Sequence, residues 1–115
     1  MTHQGSCHCG KVAFEVEADV SEVVDCNCSM CRRRGGLLFF VGRDKLRLKT
    51  SPTDVGTYTF NKHQIQHHFC RNCGIAPYSE GTNPKGQPMA AINARCVEGL
   101  DLAKLKILPF DGAST

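Results

Sequence analysis

The chain has 115 residues, of which 41% are hydrophobic and 22% charged, which excludes a disordered protein and favours one domain spanning 1–115. Trp is absent and aromatic residues make up only 7%, so we expect metal ions or disulfides to reinforce a small core. The formal net charge of +3 is too small to indicate a nucleic-acid partner. The sequence shows no apolar leader and no apolar stretch near the ~20 residues of a membrane span, so we predict a cytoplasmic protein without a membrane partner.

Short β-strands separated by turns are predicted along most of the chain. Val12, Phe14 and Val16 alternate with polar residues, as in a half-buried strand. The apolar run at 37–41 lies between glycines, which favours a buried strand over a helix. Further strand candidates lie at 46–48, 57–60, 65–69, 89–92 and 105–108, with a turn at 83–86. No window of eleven residues keeps a helical period, so we expect only single helical turns after residue 28 and near 100–103. The predicted class is mainly β, in small sheets.

Seven of the eight cysteines form three tight groups. These are the pair Cys7 and Cys9, the triplet Cys26, Cys28 and Cys31, and the pair Cys70 and Cys73. In a cytoplasmic chain, such C-x-C and C-x2-C spacings are more typical of metal sites than of disulfides. The two pairs can complete one tetrahedral site, whereas the triplet leaves a second metal one ligand short. All-thiolate sites suit Zn²⁺, and the count fits an iron–sulfur cluster poorly, so we predict two zinc ions per chain.

The fourth position at the triplet decides what kind of site it is. Cys96, His8, His67 and His68 are the candidate ligands that the sequence offers. If one of them binds, the second zinc is structural; if none does, water or a substrate thiol can occupy the position. We favour the open site, with Cys96 as a buried small apolar residue. An open three-cysteine site should also lose its metal more readily than a closed four-cysteine site.

Three motifs follow one another along the chain. They are G-S-C-H-C-G-K-V at 5–12, C-N-C-S-M-C-R-R at 26–33 and F-C-R-N-C-G at 69–74. In order and in flanking residues they resemble the motifs of the glutathione-dependent formaldehyde-activating enzyme family, which includes the centromere-protein-V-like domains. Asn93 and G-L-D at 99–101 resemble the family's C-terminal segment. The resemblance therefore covers nearly the whole chain.

The resemblance implies a β-tent of small antiparallel sheets around a structural zinc. That zinc would be held by both pairs: Cys7, Cys9, Cys70 and Cys73. The triplet Cys26, Cys28 and Cys31 would hold a second zinc at the active site. The implied activity is carbon–sulfur lyase chemistry on a small-molecule thiol or thiol adduct, such as formation or cleavage of S-hydroxymethylglutathione, with the thiolate bound at the open three-cysteine zinc.

Other roles near the triplet remain hypotheses from the sequence. Arg32, Arg33 and Arg34 could bind substrate carboxylates, because guanidinium groups bind carboxylates bidentately, and we assign this contact to Arg32 and Arg33. The three arginines could equally be solvated charges or donate hydrogen bonds to the zinc thiolates. His67 or His68 is the candidate general acid or base. The alternative function is a non-catalytic zinc-binding module for nucleic acid or protein, which would use the basic residues Arg32–Arg34, Arg43, Lys45, Arg47 and Lys49. Seven thiolates (−7) and two zinc ions (+4) would bring the charge of +3 to zero, which disfavours this alternative. A third hypothesis is a zinc or redox buffer that uses the labile triplet.

Overall fold

Two β-sheets and one short helix make up the computed structural model, which describes residues 1–60 and 64–114. The strands are β1 (Thr2–Ser6), β2 (Ala13–Glu17), β3 (Glu22–Cys26), β4 (Leu38–Gly42), β5 (Leu46–Leu48), β6 (Val55–Tyr58), β7 (Gln66–Cys70), β8 (Tyr78–Thr82), β9 (Pro88–Asn93) and β10 (Lys106–Phe110), and the helix is α1 (Ser29–Arg34). One sheet has the order β1-β2-β5, and the other has the order β10-β3-β4-β9-β8-β7-β6. Short 3₁₀ turns join several strands. No helix in the described part of the chain is long and apolar enough to cross a membrane.

One hydrophobic cluster draws on both sheets. The alternation at 12–16 places Val12, Phe14 and Val16 fully inside, and Ile92 of β9 is equally buried. Burying each of these side chains contributes about 1.5–3 kcal/mol. The Phe14 ring lies directly against β1, where a side chain at Gly5 would collide with it. The predicted alternating strand therefore forms the centre of the core.

The prediction of a mainly β fold is confirmed. The strands predicted from the apolar patterns correspond to β2, β4, β5, β6, β7, β9 and β10, and the helical turn predicted after residue 28 is α1. Three strands were not predicted: β1 and β8 consist largely of polar residues and glycine, and β3 has only two adjacent valines. Among the described strand pairs, β10 and β3 are parallel and all the others are antiparallel, so the sheets are antiparallel as expected except at this one pair.

Candidate metal centres

The four cysteines of the two pairs meet at one point. The Sγ atoms of Cys7, Cys9, Cys70 and Cys73 all lie within 4.8 Å of one another. The Cys7–Cys9 and Cys9–Cys70 sulfur distances are 3.7 and 3.6 Å. A tetrahedron with Zn–S bonds of ~2.3 Å has edges of about 3.8 Å, so the observed spacing fits a zinc ion. The structure thus brings together the four residues predicted to form a closed site.

Tight turns shape both halves of this centre. β7 ends at Cys70, whose sulfur accepts hydrogen bonds from the backbone N–H groups of Asn72 (3.3 Å) and Cys73 (3.4 Å). Gly74 closes the turn with a positive φ of 80° and donates its N–H to the Cys70 carbonyl at 2.9 Å. In the N-terminal half, the Val12 N–H donates to Cys7 Sγ at 3.3 Å. Such N–H···S bonds orient the sulfurs.

The four thiols differ in how easily they ionise. Burial raises the pKa of Cys7 to about 11. Backbone N–H groups of Ile75 and Cys9 lower the pKa of Cys73 to about 6. The side chain of Asn72 is the main cause of a lowered pKa at Cys9. The site therefore contains two sulfurs that ionise readily, those of Cys9 and Cys73, and a buried sulfur, that of Cys7, which does not. A bound cation would compensate the negative charge of the thiolates.

The triplet forms a second centre around the start of α1. β3 ends at Cys26, and Cys28 is the N-cap of α1, so that its sulfur accepts the Cys31 N–H at 3.3 Å. The Cys28 N–H points to Cys26 Sγ at 3.5 Å. All three sulfurs lie within 4.8 Å of one another. A local strand–turn–helix segment can therefore present three thiolates to one metal ion.

Ionisation within the triplet is also uneven. Burial is the main cause of the pKa of about 12 at Cys31, and the neighbouring thiols add to it. At Cys28, burial acts in the opposite direction but is outweighed by hydrogen bonds, mainly from the Cys31 backbone N–H, so its pKa is lowered. The positive charge of Arg34 partly offsets the rise at Cys31. A bound cation would be needed to hold all three sulfurs as thiolates, and zinc fits this donor set.

No fourth protein ligand joins the triplet among the described His, Cys, Asp and Glu side chains. Cys96 is half-buried against the hydrophobic core, and burial raises its pKa to about 11. His8 is exposed. The ring of His68 contacts Thr57 Oγ1 (2.9 Å) and Glu80 Oε2 (3.2 Å) instead. The interpretation of Cys96 as an apolar residue rather than a ligand agrees with this arrangement.

The two adjacent histidines of β7 have different surroundings. Both are buried, but His68 uses both ring nitrogens in contacts, whereas His67 Nδ1 has no hydrogen-bond partner in the described chain. The His67 ring stacks on Phe60, with centroids 5.3 Å apart. Burial and, after it, the charge of Arg34 lower the pKa of His67, so the ring is neutral near pH 7. His67 is thus a buried imidazole with an available nitrogen.

The arginines after the triplet are not equivalent. Arg32 and Arg33 are exposed, and Arg33 Nη1 donates to the carbonyl of Ser29 at 2.9 Å. Arg34 is half-buried, and its charge acts on both Cys31 and His67. The sequence prediction considered all three arginines and assigned substrate contact to Arg32 and Arg33. The helical spacing favours Arg34 as well, since residues three apart share one face of a helix and Arg34 is three positions after Cys31.

A protein family and a solved structure are similar to this chain. A family model described as "Glutathione-dependent formaldehyde-activating enzyme" matches residues 2–107, a range that includes both cysteine centres. A crystal structure of a Rhodobacter sphaeroides protein, a structural genomics target, superposes with a TM-score of 0.80. The two sequences are 30% identical, and the match covers 92% of this chain and 97% of the other.

Proposed function

Because this chain belongs to the glutathione-dependent formaldehyde-activating enzyme family, we propose that it is a zinc-dependent carbon–sulfur lyase acting on a glutathione-type thiol adduct. The family implies glutathione-linked formaldehyde activation. One observation supports the more specific proposal of a zinc-dependent lyase: the triplet has no fourth protein ligand among the described residues. Three thiolates around one ion leave a coordination position that a substrate sulfur can fill. S-hydroxymethylglutathione is the representative substrate.

The two centres are proposed to have different roles. The four-cysteine centre joins residues 61 positions apart in the sequence, Cys9 and Cys70, and is coordinatively complete. Such a site supplies folding free energy. The triplet lies within a six-residue segment, so a metal ion bound there closes only a short loop and stabilises the fold little. We therefore assign the structural zinc to the first centre and the substrate site to Cys26, Cys28 and Cys31.

The proposed reaction needs one proton transfer and one carbon–sulfur bond change. In the synthetic direction, a thiol loses its proton, its sulfur bonds to the formaldehyde carbon, and the former carbonyl oxygen takes up a proton. Cleavage reverses each of these changes. A zinc ion at the triplet would supply a soft Lewis acid that lowers the pKa of a substrate thiol. The chain itself supplies the three sulfurs, a proton acceptor and cationic groups for the substrate.

His67 is the residue we assign to the proton transfer. It is neutral near pH 7, and its Nδ1 is buried without a partner in the described residues. His68 is less suitable, because contacts with Thr57 and Glu80 occupy both of its ring nitrogens. The positive charge of Arg34 lowers the pKa of both His67 and Cys31, so the two groups share one charged neighbour. A neutral imidazole can accept the thiol proton and return it to the oxygen.

Cationic side chains on α1 are proposed to bind the substrate. Glutathione carries two carboxylates, and guanidinium groups bind carboxylates in bidentate fashion. Arg32 and Arg33 are exposed at the end of α1, next to the triplet, and Arg34 adds a third positive charge. An exposed position is compatible with a contact that forms only when substrate arrives.

The alternative of a non-catalytic basic module is less well supported. Arg43 and Arg47, two residues of the predicted basic face, form ion pairs with Glu80 and Glu15. Lys49 Nζ donates to Gln4 Oε1 at 2.7 Å. These partners neutralise or occupy much of the face that a polyanion would contact. We therefore retain the enzyme as the proposed function.

Exchange between glutathione, formaldehyde and their adduct tests the proposal. We expect the wild-type protein to accelerate this exchange, measured by NMR magnetisation transfer with ¹³C-formaldehyde. Cys28→Ser should remove the acceleration, while the matched control Cys96→Ser, which changes a thiol outside both centres, should retain it. Equal rates for wild type and Cys28→Ser, with both proteins folded, would contradict the proposed site.

A further inference from the structure

We propose that the C-terminal turn at 111–114, fastened by Asn27, forms one wall of the triplet centre and positions Cys26 as a ligand. This inference rests on the proposed function, because it takes the triplet to be a metal centre. No residue of this turn belongs to the cysteine motifs. The turn follows β10, which runs parallel to β3 so that Phe110 is paired with Cys26. This parallel pairing places the end of β10 beside the segment 26–31, which carries the triplet.

Asn27 fastens the turn from within the triplet itself. It lies between Cys26 and Cys28, and its side-chain Nδ2 donates to Asp111 Oδ1 at 3.0 Å. Its Oδ1 accepts the Ala113 N–H at 3.0 Å. The Asn27 backbone N–H also donates to the Phe110 carbonyl at 3.1 Å. Both polar ends of the side chain are therefore engaged, and every one of these bonds joins the ligand loop to the C-terminal segment.

The turn is also braced internally. Ser114 Oγ donates to Asp111 Oδ2 at 2.7 Å, while Asn27 engages the other oxygen of the same carboxylate. These two hydrogen bonds are the main causes of the lowered pKa of Asp111. The carboxylate is thus held between the turn and the loop.

Gly112 shows how closely the turn approaches the sulfur. A Cβ built on Gly112 would lie 2.6 Å from Cys26 Sγ and 3.2 Å from Cys28 Cβ. Gly112 has no positive φ, so the glycine is required by space and not by backbone conformation. The backbone of the turn therefore packs directly on Cys26 and reaches Cys28, the N-cap of α1.

Two consequences follow for the site. Cys26 is restrained by contacts that come from the end of the chain, although Cys28 and Cys31 are fixed by the local start of α1. The turn covers the side of the triplet that Gly112 contacts, so substrate would approach the metal from another side. Residues that orient metal ligands commonly change metal affinity 10–100-fold when replaced. Gly112 and Asn27 are thus positioning residues for the second metal.

Cobalt(II) binding to the full chain tests this inference. We expect Gly112→Ala and Asn27→Ala to weaken the second cobalt site about 10–100-fold and to change its visible d–d spectrum, with the four-cysteine site unchanged. Gly81→Ala is the matched glycine control, because its new Cβ would meet only Ile65 Cγ1 at 3.6 Å. Asn83→Ala is the matched asparagine control, since Asn83 makes similar side-chain bonds in the turn between β8 and β9. Both controls should bind two cobalt ions as the wild type does.

The outcomes separate this inference from the proposed function. If wild type binds two ions and Asn27→Ala keeps both, with unchanged affinity and spectrum, the role of the turn is refuted and the substrate site stands. If wild type binds one ion, or Cys28→Ser retains two, both the site and the role of the turn are refuted. Circular dichroism establishes folding, and Asn27→Ala decides the case if Gly112→Ala does not fold.

Discussion

Replacing one cysteine in each centre should have unequal effects on stability. Cys9→Ser opens the four-cysteine centre, and Cys28→Ser opens the triplet. If burial alone decided the loss of stability, Cys28→Ser would destabilise the protein more than Cys9→Ser, because Cys9 is exposed and Cys28 is half-buried. We predict the opposite order, since the first centre closes a long loop of the chain and the second closes a short one.

The difference can be worked out from the two loop lengths. Cys9 and Cys70 are 61 positions apart, whereas the triplet spans only from residue 26 to residue 31. Closing a loop costs the unfolded chain an entropy that grows with the logarithm of loop length, and the difference here amounts to about 2 kcal/mol at 25 °C. For a domain of this size, that corresponds to about 8 °C in Tm. Where the loss of one ligand releases the metal from its centre, we therefore expect Cys9→Ser to melt about 8 °C below Cys28→Ser.

Thermal melts followed by circular dichroism, at a fixed free zinc concentration, measure this difference. The internal control is the same pair of variants in a strong chelator, where the gap should nearly vanish because neither centre holds metal. A gap that persists without metal would show that it comes from side-chain packing. Cys28→Ser melting at or below Cys9→Ser in zinc would refute the assignment of the structural role to the four-cysteine centre.

Three further predictions follow from the described contacts. Gly5→Ala should destabilise the fold by about 1–3 kcal/mol in urea unfolding, because its Cβ would collide with the Phe14 ring and approach the Cys96 carbonyl oxygen to 2.9 Å, whereas Gly81→Ala should change stability little. His67→Gln should flatten the loss of stability that wild type shows as the pH falls below about 6.5, since the lowered pKa of His67 means that the unfolded chain binds a proton there more readily than the native state; identical pH profiles would contradict this. Arg34→Gln should raise the KM for the thiol adduct more than Arg33→Gln does, measured by the exchange assay, and equal effects would argue against a special role of the half-buried Arg34.

The two cysteine clusters could be predicted from sequence because each depends largely on local spacing. In C-x-C and C-x2-C segments, the turn itself brings the sulfurs together, as the N–H···S bonds at Cys70 and Cys28 show. The strand at 13–17 was predictable for a similar reason, because its apolar and polar residues alternate and the apolar ones lie on the buried face. Counting ligands joined the two distant cysteine pairs in one site, and the family resemblance, confirmed by the family match over residues 2–107, implied the same grouping.

Features that depend on distant pairing were not visible in the sequence. β8 reads Y-S-E-G-T and pairs with β7 and β9 inside the larger sheet, where its neighbours rather than its own composition make it a strand. The contact of Gly112 with Cys26 requires the parallel pairing of β10 with β3, which no local pattern encodes. The difference between His67 and His68 likewise depends on which partners the neighbouring strands supply.

Cadmium-113 NMR of the metal-loaded protein tests the central claim most directly. We predict two resonances, one lost in Cys9→Ser and the other lost in Cys28→Ser. Adding glutathione should shift only the resonance that Cys28→Ser removes, because only that metal has a position open to a fourth sulfur. A single resonance in the wild type would contradict the account. So would a spectrum in which glutathione moves neither resonance or moves the one that belongs to the four-cysteine centre.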